Sequence, residues 1–138
     1  PERIGQLVYL DALVPQDGEA VKDLYPADIA ALLGAYIRDC GDGWRYPPPE
    51  PRGDARFADH PARTMFQPLA LNNPRARRIP RAYIYCTDKR DAGPQHQGII
   101  RSAARARDAG WSFHEIATGH HPMQTVPEEL VRMLLSLL

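Results

Sequence analysis

The chain has 138 residues, with 17 Lys and Arg balanced by 17 Asp and Glu, so its formal charge is zero. That length is one domain's worth, enough to bury a core. Zero net charge gives no general steering toward nucleic acid or an anionic membrane, and no apolar run is long enough to span a bilayer. No basic segment followed by an apolar one opens the chain, so no secretory signal is expected and a cytoplasmic location is. Cys40 and Cys86 are too few for a disulfide framework and read as reduced, buried thiols. The opening Pro1-Glu2-Arg3, without an initiator methionine, reads as a piece cut from a longer protein.

Ile4 to Leu10 is nearly continuously apolar, as expected of a strand covered on both faces of a parallel sheet. Asp11 follows it, and Pro15 to Gly18 begin a loop. Pro26 suits the first turn of a helix, and Ile29, Leu32, Leu33, Tyr36 and Ile37 repeat with helical spacing, which predicts a helix over 26–38 ended by Gly41-Asp42-Gly43. Trp44-Arg45-Tyr46 then runs into Pro47-Pro48-Pro49-Glu50-Pro51, an extended aromatic and proline segment. It reads either as a lid edge touching substrate through Trp44 and Tyr46, or as a polyproline strap across the surface. Recognition of the prolines by a partner domain is a weaker third option.

Residues 52–80 carry no long periodicity; Phe57, Met65, Phe66, Leu69 and Leu71 lie among Pro61, Pro68 and Pro74, which suggests short helical turns. Arg75, Arg77, Arg78 and Arg81 form a basic run without interleaved aromatics, read as a solvated connection and not as a nucleic-acid patch. Ala82 to Thr87 predicts a second strand apolar on both faces. Gln97 to Ala109 predicts a helix with Ile99, Ile100, Ala103 and Ala104 inward and Gly110 at its end. Trp111 to Ile116 alternates like a strand near a sheet edge. Thr125-Val126-Pro127-Glu128 has the form of a capping box, opening a last helix with Leu130, Met133, Leu134 and Leu137 on one face. No internal repeat is visible.

Strands alternating with helices predict an α/β fold with a parallel sheet. The stretch 16–80 is too long for a simple connection and reads as an inserted, mainly helical cap between a core strand at 1–15 and core elements at 81–138. Sites in such sheets lie at the carboxyl ends of strands, where Asp11, Asp88, Asp91 and His120 all fall.

Four stretches together carry a resemblance: Leu7 to Pro15, Arg81 to Thr87, Gly119-His120-His121-Pro122-Met123, and the cap pair Gly43-Trp44-Arg45 and Pro68-Leu69-Ala70-Leu71. The chain resembles the C-terminal half of an α/β-hydrolase, closest to bacterial esterases related to plant methyl-ester hydrolases and hydroxynitrile lyases. The resemblance covers essentially the whole chain. It implies a serine on a Gly-x-Ser-x-Gly elbow, an acid after a late strand and a histidine before the last helix. The implied base is His120, with His121 a neighbour. The implied acid is Asp91, three residues before Pro94, or Asp88, directly after the strand; Asp11 remains open, since some members place the acid after the earlier strand. Both histidines could also be plain loop residues. They lack helical ligand spacing, so no metal is expected, and no cofactor.

The sequence departs from that pattern at the nucleophile. Ser102, Ser112 and Ser136 stand in no Gly-x-Ser-x-Gly context, and Cys86 lies inside a strand. The expectation is therefore the acid-and-base half of a serine hydrolase for carboxylic esters of small molecules, silent alone because the elbow and the oxyanion hole are missing. Its sheet would be completed by an N-terminal half or a second copy. Two alternatives stand beside this: lyase chemistry in the parent protein, and a non-catalytic interaction module derived from the fold.

Overall fold

The computed structural model describes residues 2–48, 58–90, 93 and 96–138. Asp91 and most of the proline segment beyond Pro48 lie outside the described residues. The chain divides into two compact units, Pro1–Val14 with Asn72–Leu138, and Pro15–Leu71.

The first unit is built on a parallel sheet of β1 (Leu7–Leu10), β4 (Arg81–Cys86) and β5 (Ser112–Ile116), in the order β1-β4-β5. Helices α4 (His96–Asp108) and α6 (Pro127–Ser136) flank it, with short α3 (Pro74–Arg77) and α5 (Pro122–Thr125) in the connections. β4 has neighbours on both sides, and its alternating side chains serve two cores. Ile84 and Cys86 meet Leu10, Ile116, the α6 residues Leu130 and Met133, and Leu137 just past the end of α6. Tyr83 and Tyr85 meet Tyr9, Trp111, Phe113 and the α4 alanines Ala103 and Ala106. Rings from three strands stack on this second face, Tyr9 on Trp111 at 5.2 Å and Tyr83 on Phe113 at 5.7 Å between centroids. Burying a Tyr or Ile of this kind contributes roughly 1.5–3 kcal/mol each.

Several local readings change. β1 is half-exposed instead of covered on both faces, with Val8 open to solvent, because among the described residues it has only β4 beside it. On α4 the buried stripe is Gly98, Ile99, Ser102, Ala103 and Ala106, and Ile100 and Ala104 point outward. Ser102 belongs to this stripe, and its burial is satisfied by a bond donated to Gly98 O and one accepted from Val14 N. Thr125 is not the cap of the last helix: Val126 is, and the Thr125 hydroxyl lies 2.5 Å from that of Thr118. Leu134 points away from the core. Both cysteines are free, but only Cys86 is buried; Cys40 is exposed at the end of the helix that starts at Ala27.

The second unit holds a 3-10 turn (Val21–Leu24), α1 (Ala27–Cys40), a two-residue antiparallel ladder of β2 (Arg45–Tyr46) and β3 (His60–Pro61), and α2 (Arg63–Phe66). The ladder was not expected from a proline-rich stretch. Arg45 holds it together by pairing with Asp42 and with Asp59. Gly41 is required by space here, since a Cβ would stand 1.8 Å from Arg45 O.

Candidate active site

The site grows from the three carboxyl ends of β1, β4 and β5. At the end of β1, Asp11 takes a left-handed backbone, φ 42°, which few non-glycine residues adopt and aspartate tolerates better than most. Three hydrogen bonds hold that turn in place: Asp11 N to Ile84 O at 2.8 Å, Tyr83 Oη to Ala12 O at 2.6 Å, and Val14 N to Ser102 Oγ at 2.9 Å. The turn thus rests on β4 and α4, and it aims the carboxylate inward. Asp11 is 1% exposed.

At the end of β5 the chain folds back on the β4 loop. Thr87 N and Thr118 N both donate to Ile116 O, and Asp88 N donates to Thr118 O at 3.0 Å. The Thr125 hydroxyl also donates to His121 O. The loop 118–121 is therefore fastened at both ends, to β4 on one side and to α5 on the other.

This arrangement brings His120 onto Asp11. Nδ1 of His120 lies 2.8 Å from Oδ2 of Asp11, across 109 positions of sequence. An ionised carboxylate only accepts, so Nδ1 is the ring nitrogen that carries a proton toward Asp11. The ring is 37% exposed while its partner is buried, so the couple faces outward through His120 alone. His121 stands edge-on to it, ring centroids 5.1 Å apart. The other Asp11 oxygen, Oδ1, accepts from Cys86 N at 3.1 Å and from Lys89 Nζ at 2.5 Å. Lys89 is 12% exposed and its ammonium also sits 4.4 Å from the centre of the Tyr85 ring. A buried carboxylate needs such partners, because unpaired charge is costly away from water.

The remaining expected residues fall elsewhere. The Asp88 carboxylate turns outward, accepts from Arg90 N and pairs with the Arg90 guanidinium, which holds it down to about 2. It has no bond to His120; its part in the site is the backbone N–H on Thr118. Asp91 lies outside the described residues. Trp44 and Tyr46 belong to the 15–71 unit. Tyr46 packs edge-on against Tyr36 at 5.5 Å. Trp44, 62% exposed, lines a cavity of about 280 Å³ with Ile37, Ala62 and Phe66. Ser102 bonds within α4 and to Val14, Ser112 lies 2.8 Å from His114 Nε2, and Ser136 donates to Met133 O. Cys86 is a protonated thiol, pushed up to about 11 by burial and then by the Asp11 charge. Among the described residues no group of three or more His, Cys, Asp or Glu is placed to hold a metal ion. No helix among them is long and apolar enough to cross a membrane.

Lys89 is the residue that sequence reasoning passed over. A buried aspartate calls for a cation, but only the fold tells which of Lys89, Arg90 and the neighbouring arginines reaches it.

A parallel sheet with flanking helices and a strand-end Asp–His couple has the architecture of part of an α/β-hydrolase fold, as expected from the sequence. No family model matches the chain, and no curated protein does. Among solved structures it is similar to an extracellular alpha/beta-hydrolase from a Paenibacillus species, described as sharing structural and functional homology with tobacco salicylic acid binding protein 2. The TM-score is 0.77 at 23% identity, over 99% of this chain and 62% of that one. The likeness establishes the fold, and the chain spans about three fifths of the length of that hydrolase.

Proposed function

We propose that this chain supplies the acid–base couple of a serine hydrolase acting on carboxylic esters of small molecules. The observation that carries the reading is the 2.8 Å contact of His120 Nδ1 with the buried Asp11 carboxylate. It turns Nδ1 to the acid, and in the neutral ring Nε2 then holds the lone pair that a general base requires. The couple stands at the carboxyl ends of parallel strands, where such sheets place their chemistry. The left-handed backbone of Asp11 adds support, since strain of this kind concentrates at functional sites.

In this reading the serine and the oxyanion donors come from sequence outside these 138 residues, and the chain alone does not turn over esters. The serine Oγ attacks the ester carbonyl as its proton passes to His120 Nε2. The imidazolium, held by Asp11, returns that proton to the departing alcohol oxygen. A water then gives its proton to Nε2 and its oxygen to the acyl group, releasing the acid and regenerating the serine. The 15–71 unit serves as the cap, with Trp44 and Tyr46 as substrate contacts. Two free thiols fit the cytoplasm as the compartment.

The test uses the protein expressed from its complete reading frame. A fluorophosphonate probe should add one adduct mass, and H120A should lose both labelling and hydrolysis of p-nitrophenyl esters while its circular dichroism is unchanged. Wild-type ester hydrolysis by H120A, or no adduct on an intact protein, would contradict the proposal.

A further inference from the structure

Asp11 is shared. One oxygen faces His120, and the other faces the ammonium of Lys89 at 2.5 Å, which is itself nearly enclosed and lies over the Tyr85 ring. We infer that Lys89 is a positioning residue that fixes the charge and tautomer of His120 by neutralising Asp11 from its far side. The inference rests on the acid–base role proposed above, and it names what sets that couple for its work.

Charge must balance in this closed space. A carboxylate that is 1% exposed has little water to share its charge, so a cation must stand beside it. Among the described residues, the titratable groups facing it are Lys89, His120, the Cys86 thiol and the Tyr83 and Tyr85 hydroxyls, with His121 behind His120. Burial pushes the thiol and both phenols up, so they stay neutral. Two groups are left that can supply the positive charge. With Lys89 in place, His120 need not be a cation in the resting state, and it can hold one proton on Nδ1 and none on Nε2. Without Lys89, the same carboxylate is balanced by an imidazolium, which has no lone pair to accept a proton.

The geometry supports a division of labour. Lys89 and Cys86 N both bind Oδ1 and leave Oδ2 to His120, so the ammonium does not displace the imidazole. The Tyr85 face holds the ammonium on its other side.

The experiment compares wild type, K89M, K89R and the double variant D11N/K89M in the complete protein, labelled with ¹⁵N-histidine. His120 is assigned by its loss in H120A. At neutral pH, wild type and K89R should show one protonated and one unprotonated ring nitrogen for His120. K89M should show two protonated nitrogens, with kcat reduced about tenfold and KM within about twofold, the pattern of a base held in the wrong form. D11N/K89M should return the ring to the neutral pattern, because the buried charge is gone. If K89M does not fold, K89Q carries the same expectation. A neutral His120 in K89M or K89Q, or a K89R ring that is doubly protonated, would overturn the inference. The nitrogen spectrum does not depend on turnover: a wild type without esterase activity would refute the proposed function and leave this reading to be decided by the spectrum.

Discussion

Two aspartates stand just past the ends of neighbouring strands, and the fold treats them in opposite ways. Asp11 is buried, bent into a left-handed turn and shared between His120, Lys89 and Cys86 N. Asp88 turns to solvent and is satisfied by Arg90, two residues along. Both are strand-end carboxylates in the sequence, yet only one is placed to act on the histidine. A carboxylate satisfied by its own loop has no reason to reach inward, whereas one whose backbone is tied down by Ile84, Tyr83 and Ser102 cannot turn away.

The contrast can be broken most forcefully by removing each carboxylate. D11A leaves the Lys89 ammonium enclosed without a counter-charge, and urea unfolding should show a loss of about 3–5 kcal/mol. D88A, whose partner is a solvated guanidinium, should lower the unfolding midpoint far less. Equal losses would mean that the two sites are not different in kind. Ile84→Ala should cost about 2–5 kcal/mol, because it opens a cavity in the cluster beside Asp11. A smaller step is Thr118→Val, which takes the partner of Thr125 from the loop that carries His120; a loss of about 1 kcal/mol is expected by the same measurement.

The finest distinctions are in titration. Asp88 is lowered from 3.8 to about 2, so its stabilising contribution is complete above pH 4 and disappears as pH falls toward 2. D88N should therefore flatten the acid limb of the stability curve in that window, giving up at neutral pH only the small contribution of a solvated pair. Cys86, raised from 9.0 to about 11, binds its proton more tightly folded than unfolded, so its contribution is present below pH 9 and lost between 9 and 11. At pH 8 a thiol reagent should modify exposed Cys40 and leave Cys86 intact until the protein unfolds.

Much of this was legible in the sequence because it depended on local pattern. The β4 run Arg81 to Cys86 is apolar at every interior position, and it became the central strand of the three described. The α/β alternation and the position of His120 before the last helices followed from the same kind of signal. What spacing did not give was the pairing of distant groups. Asp11 and His120 meet across 109 positions through the register of three strands, and nothing local in Leu10-Asp11-Ala12 announces a left-handed turn. The inward face of α4 departs from the apolar spacing for a related reason. Ser102 looks like a surface residue until its hydroxyl is seen to bond the β1 loop; it shares the buried stripe with Ile99, Ala103 and Ala106, and Ile100 falls on the outer side. Lys89 was invisible because a lysine in a polar loop is ordinary, and only the burial of Asp11 makes it necessary.

The most direct measurement is kcat/KM for ester hydrolysis by D11N and D91N, side by side with wild type, in the complete protein. If Asp11 orients His120, D11N should lose about 10³–10⁴-fold with its fold intact, since an amide at that place favours the wrong imidazole tautomer, and D91N should stay within about fivefold. A D91N enzyme that collapses while D11N keeps near wild-type turnover would contradict the account and give the acid's role to the loop after β4.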